Sequence, residues 1–137
     1  MNAEETEKEF IQNFIRKERR ESSLWALNHK KKRYDFLDRF NHNWNEMIAE
    51  KDLIKLHTKS DFDTFEKIKS ELKLKDSDLC YVISYNDFDR QFIELRRAYE
   101  ECQKSGLAGL IISVDGKKFY MKTEQEIGAS AKFIGMK

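Results

Sequence analysis

The sequence predicts an α+β fold: a helical N-terminal half packed on a small mixed β-sheet formed by a C-terminal β-α-β-β unit. Three observations carry this. Over the first half, apolar residues recur three or four apart, as in Phe10 and Phe14 or Leu37, Phe40 and Trp44, which is the spacing of one helix face. In the second half, residues 79–85 and 107–114 are apolar runs rich in β-formers and of strand length. Between alternating apolar residues, Asp115-Gly116 is the strongest hairpin signal in the chain. At 137 residues the chain suits one domain, 1–137, with a helical, basic-aromatic portion over 1–58 and an α-β-α-β-β portion over 59–137.

Residues 3–27 contain no helix breaker, and apolar clusters at Phe10, Ile11, Phe14 and Ile15 and at Leu24, Trp25 and Leu27 bracket the polar stretch 16–23. They predict one helix ~36 Å long, apolar at both ends and solvated in the middle. Such an end-loaded helix also suits pairing with a second copy, so a homodimer through the N-terminal helix is a further expectation. Residues 31–49 predict a core-facing helix on Leu37, Phe40, Trp44 and Met47. Residues 53–58 alternate weakly and suit a short strand or an extended link. Ser60 reads as the N-cap of a helix with Asp61 and Asp63 in its first turn and a stripe of Phe62, Phe65, Ile68 and Leu72.

Residues 79–85, apolar on both faces, predict an interior strand. Phe92, Leu95, Tyr99 and Cys102 mark an amphipathic helix that Gly106 terminates. As a helical crossover it makes strands 79–85 and 107–114 parallel neighbours or near neighbours. Pairing across Asp115-Gly116 sets Val114 opposite Lys117, Ile112 opposite Phe119 and Leu110 opposite Met121. Residues 133–136 suit a final edge strand.

Charged residues make up 37% of the chain and proline is absent, a composition that places solvated faces on uninterrupted helices. The N-terminus has no apolar signal segment and the two cysteines, Cys80 and Cys102, make no disulfide framework, so the expected compartment is the cytoplasm. No apolar run nears the ~20 residues of a membrane span, and no membrane role is expected. Periodicity assigns both thiols to buried, inert positions.

Charge is uneven. Residues 16–44 hold nine Lys/Arg against four acids, a local excess of +5 in a protein of net charge +1. Arg16, Lys17, Arg19, Arg20, Lys30, Lys31, Lys32 and Arg33 form a candidate binding face for nucleic acid or an acidic partner, since a local positive field attracts anionic surfaces. The helical spacing of Phe36, Phe40 and Trp44 assigns those rings to the core rather than to base stacking. A near-neutral molecule also lacks the overall basic balance of a dedicated nucleic-acid protein.

A second candidate is polar. His42, between two asparagines, has the chemistry of a general base, and Asp87 and Asp89 lie in the loop after strand 79–85, where ligands gather in α/β arrangements. That loop has no glycine to cradle a phosphate, and a plain turn with an N-cap is its simpler use. Glu124 and Glu126 read as surface residues beyond the hairpin. The histidines, His29, His42 and His57, are not at ligand spacing, so no metal or cofactor is expected. The expected function is a small cytosolic, non-enzymatic protein-binding module, a bacterial-style inhibitor or immunity-type partner. Nucleic-acid binding through the basic face of residues 16–39 is the alternative, and a small hydrolase using His42 with Asp87, Asp89 or Glu124 is a third.

Overall fold

Asn2 opens the first helix with a capping box: its side chain accepts from the Glu5 N–H at 2.9 Å, and the Glu5 carboxylate accepts from the Asn2 N–H at 3.1 Å. The computed structural model describes residues 1–124 and 130–137; Glu126 lies outside the described residues. Helix α1 spans Ala3–Phe14 and α2 spans Lys17–Asn28, so the single helix expected over 3–27 is two. The break is at Ile15, which is buried, extended and bridged to Ile48, while the Arg16 N–H donates to the Met47 carbonyl at 2.8 Å. Burial decides this, because the turn brings both apolar clusters to one core instead of holding them a helix length apart. Phe10, Phe14 and Ile15 are therefore internal, which removes the reason for expecting α1 to pair with a second copy.

Helix α3 (Arg33–Met47) loses helical dihedrals at Asn43, in the polar triplet 41–43. A 3₁₀ turn, Glu50–Asp52, leads to β1 (Ile54–Lys55), and Ser60 caps α4 (Asp61–Leu72) by accepting from the Asp63 N–H at 3.1 Å. Ile68 and Leu72 face inward as expected, but Phe62 is 72% exposed and Thr64 is buried instead. Thr64 stands two residues from Phe62, on nearly the opposite side of the helix. Its hydroxyl bonds the Thr58 hydroxyl and the Ser60 carbonyl.

The remaining elements are β2 (Leu79–Ser84), β3 (Phe92–Glu94), α5 (Leu95–Lys104), β4 (Gly109–Ser113), β5 (Lys118–Lys122) and β6 (Lys132–Met136). They form one sheet of order β1-β6-β5-β4-β2-β3. Every pairing is antiparallel, which corrects the mixed sheet and the parallel crossover. The reason is β3: the chain returns along β2, with Tyr81 opposite Phe92 and Leu79 opposite Glu94, before α5 begins. Helix α5 thus starts beside the beginning of β2, and β4 enters in the opposite direction. Phe92, read as helical from its apolar spacing, belongs to β3, and α5 ends in extended backbone at Ser105 rather than at a left-handed glycine.

The hairpin follows the expected register, with Leu110 opposite Met121 and Ile112 opposite Phe119. Gly116 adopts φ +73°, and a Cβ there would lie 2.6 Å from Glu9 Cβ, so glycine also lets α1 dock on the turn. Strand β6 is interior, because β1 pairs outside it. Both sheet edges are strands of two or three residues, too short to template another chain.

Alternation along the strands divides the interior in two. Tyr81, Ile83, Leu110, Ile112, Phe119, Met121 and Phe133 meet α1, α2 and α3 on one face. Cys80, Val82, Ile111, Tyr120 and Ile134 meet α4 and α5 on the other. The helical half does pack on the sheet, and the fold is α+β. Among the described residues no helix is long and apolar enough to cross a membrane.

Candidate functional site

Of the eight basic residues expected on one face, the structure turns Arg33 inward, at 3% exposure. From the start of α3, its Nη1 donates to Glu7 Oε2 of α1 and to the Leu27 carbonyl of α2, both at 2.8 Å. Its Nε and Nη2 reach the two Asp89 oxygens at 2.9 and 3.0 Å. Tyr81 of β2 donates to the same Glu7 oxygen at 2.6 Å, and Asp89 also accepts from the Ser84 N–H at 3.1 Å. Burial opposes the Arg33 charge, yet the bonds and fields of Asp89 and Glu7 outweigh it and hold the guanidinium pKa above its ordinary value. Burial, reinforced by Glu7, likewise raises the Tyr81 phenol. Two expectations are corrected: Arg33 is not part of an exposed face, and Asp89 is not an open acid. Together they tie α1, α2, α3 and the loop 85–91 to the sheet.

Directly before Arg33, Lys30, Lys31 and Lys32 make the turn between α2 and α3, and all three are exposed. Trp25 and Tyr34 flank the turn at 52% and 51% exposure. The Trp25 ring stacks on His29 with centroids 4.3 Å apart, and Tyr34 lies 5.2 Å from Tyr85. Lys32 pairs with Asp35 at 3.8 Å. The C-terminal end of α2 favours these cations through its dipole. The arrangement is a compact cationic turn, framed by two half-exposed rings and seated on the Arg33 network. Sequence reasoning found the lysines and missed the rings as surface groups. The available signal was phase: the buried positions 23, 26 and 27 on α2 and 33, 36, 37 and 40 on α3 leave Trp25 and Tyr34 pointing outward.

Arg16, Lys17, Arg19 and Arg20 stand toward the other end of α2, ~12–18 Å away along that helix. Arg16 Nε donates to the Asn45 carbonyl at 3.0 Å, Arg20 Nε to the Ile15 carbonyl at 2.9 Å, and Arg19 pairs with Glu46 at 3.4 Å. Lys17 is exposed. The basic residues thus form two groups rather than one stripe.

The polar candidate comes together only in part. His42 Nε2 lies 3.8 Å from Glu124 Oε2 at the surface, Asp87 is exposed on its loop, and Asp89 belongs to the Arg33 network. Beside them, the Tyr85 hydroxyl donates to Asp38 Oδ1 at 2.5 Å and accepts from Asn41 Nδ2 at 2.9 Å, while Asn41 Oδ1 accepts from the Ala108 N–H at 3.1 Å. Burial, with the bond to Asp38, raises the Tyr85 phenol. These bonds fasten α3 to the end of β2 and the start of β4. A cavity nearby, lined by Ser84, Asn86, Phe88, Cys102 and Leu107, measures about 20 Å³, space for about one water.

Burial pushes the Cys80 thiol up to about 12 and Cys102 up to about 11, the state of unreactive thiols. Lys122 of β5 is 4% exposed. Its Nζ donates to the Cys102 carbonyl at 2.6 Å and to the Ser105 carbonyl, and burial lowers its pKa. Among the described residues, no cluster of His, Cys, Asp and Glu is arranged to hold a metal ion. No family model matches the chain, and no curated protein or solved structure matches it either.

Proposed function

We propose that the protein acts in the cytoplasm as a non-enzymatic protein-binding module of the inhibitor or immunity type. The observation that supports this most is the display of Trp25, Tyr34 and Phe62, each more than half exposed. Burying such a ring is worth ~1.5–3 kcal/mol, and Trp and Tyr dominate contact energies at protein interfaces. Of the polar groups weighed for chemistry, by contrast, Asp89 is bound to Arg33 within the fold, while His42 meets Glu124 at the surface and Asp87 stands exposed on its loop. The test is photo-crosslinking in the source cell, with the crosslinker placed in turn at Glu21, Lys31 and Phe62. The expected result is one protein species, crosslinked from at least one of these sites, that binds the purified chain without being turned over. If it is an enzyme whose rate falls on binding, the inhibitor-type reading stands. Recovery of nucleic acid with no crosslinked protein overturns the proposal.

The second reading, nucleic-acid binding, draws on the same exposed rings, which can stack on bases beside Lys30, Lys31 and Lys32. It requires affinity that falls steeply with salt and drops when these lysines are neutralised.

A further inference from the structure

We infer that the turn of Lys30, Lys31 and Lys32, framed by Trp25 and Tyr34, is the docking surface for an acidic protein segment with an apolar side chain beside its carboxylates. The inference rests on the binding-module reading above and names the surface and the partner chemistry. Three consecutive ammonium groups in one turn concentrate positive charge within roughly 10 Å of chain. Next along α3, Asp35 and Asp38 are exposed, with a single exposed cation, Arg39, beside them. A phosphate backbone crossing the turn would meet these carboxylates. The other basic residues of α2 cluster toward its far end, with Arg16, Arg19 and Arg20 engaged in internal bonds. A short acidic segment matched to three charges meets neither obstacle.

The rings supply the apolar half of the contact. Trp25 is covered on one side by His29, and Tyr34 packs against Tyr85, so both are held in place before any partner arrives. Ordering them on binding therefore costs less than for free side chains. Beneath them Arg33 bonds α1, α2 and the loop 85–91 at once, which anchors the backbone from which the three lysines project.

The experiment uses a fluorescein-labelled peptide of six glutamates around a central Leu-Phe, its glutamine counterpart, a short DNA duplex and a single-stranded RNA. Each is titrated into the full chain carrying Trp44→Phe, which leaves Trp25 as the sole reporter of the two tryptophans. Trp44 packs on Phe133 at 4.6 Å, and phenylalanine keeps an aromatic ring there. The expected result is that the glutamate peptide binds and the glutamine peptide does not, with a change in Trp25 emission. Replacing Lys30, Lys31 and Lys32 by Gln weakens binding at least ~10-fold, and Trp25→Ala, read by anisotropy, weakens it ~10- to 30-fold. The same charge change at Lys67, Lys73 and Lys75 leaves binding unaltered.

Failure of the glutamate peptide to bind, equal binding by the triple-glutamine variant, or a silent Trp25 overturns the docking surface. If a crosslinked protein partner is found and ignores these lysines, the surface is wrong while the binding-module reading stands. Tighter binding of RNA or DNA than of the peptide, lost in the triple variant, overturns both.

Discussion

On the face of the sheet covered by α1, α2 and α3, Arg33 is buried against two carboxylates; on the opposite face Lys122 is buried against two backbone carbonyls. Burial opposes both charges, and what surrounds each decides the outcome. Glu7 and Asp89 more than offset it for Arg33, whose pKa is raised. For Lys122 burial prevails: the carbonyl end of α5, Cys102 and Asp61 favour its charge, but burial, with Lys132 directly opposite across the ladder, lowers its pKa. The guanidinium, with five donors in a planar fork, joins several elements; the ammonium closes one helix end. One face is locked by charge and the other by apolar packing with a helix cap.

The largest expected effect breaks the charged lock. Arg33→Met leaves Glu7 and Asp89 buried without their cation, and removing one partner of such a network costs ~3–5 kcal/mol. The urea midpoint should fall accordingly. Adding Glu7→Gln and Asp89→Asn to the same chain should recover part of the loss, because the unanswered charges go with them. Failure of the triple variant to recover anything would mean that Arg33 contributes by shape rather than by charge.

The second prediction concerns pH, and here the faces agree. Cys80, Cys102, Tyr99 and Tyr120 lie on the α4–α5 side and Tyr81 and Tyr85 on the other, and burial raises all six. A group whose folded pKa is raised contributes stability that is full below its unfolded value and lost as pH rises through the folded one. The ordinary values are 9.0 for the thiols and 10.0 for the phenols, and the buried ones reach about 11 for Cys102 and about 12 for Cys80 and Tyr99. The urea midpoint should fall steadily from about pH 9 upward. Absorbance of tyrosinate appearing only with unfolding checks the cause; early, independent titration of these phenols would refute it.

Lys122→Met should cost less than the loss of Arg33, ~1–2 kcal/mol, because it strands two carbonyls rather than two charges. Its pH signature is opposite in sign to that of the thiols. A lysine with a lowered folded pKa releases its proton before the unfolded chain does, so it adds stability as pH rises toward 10.5. The wild-type advantage over the variant should therefore grow as that value is approached. A constant difference would mean that Lys122 stays charged inside the fold.

How much of this was legible in the sequence varies with the range of the cause. The hairpin register was legible because Asp115-Gly116 and the alternation beside it are local. The α+β class followed from periodicities of 3.6 and 2 that no distant contact overrides. The break at Ile15 was not legible, since its partner Ile48 is remote and no breaker marks the site. Strand β3 was hidden because Phe92 also fits the helical spacing of Leu95 and Tyr99, and its three residues are too few to show alternation. At the candidate site, composition located the basic run but could not say which residue turns inward, as Glu7 and Asp89 lie 26 and 56 residues from Arg33. Helix phase would have separated Arg33, in step with Phe36, Leu37 and Phe40, from the three lysines before it.

The smallest expected effect sharpens the same contrast from outside. His42 and Glu124 approach to 3.8 Å at the surface, with the histidine side chain 59% exposed, and pairs of this kind contribute ~0–1 kcal/mol in water. Glu124→Gln should shift the urea midpoint by less than ~0.5 kcal/mol, and raising the salt should shrink even that. The comparison with Arg33→Met then tests burial, since each substitution removes the charge from one side of a contact. An effect of Glu124→Gln as large as that of Arg33→Met would show that low exposure is not what gives the Arg33 network its strength, and the contrast between the two buried cations would need another cause.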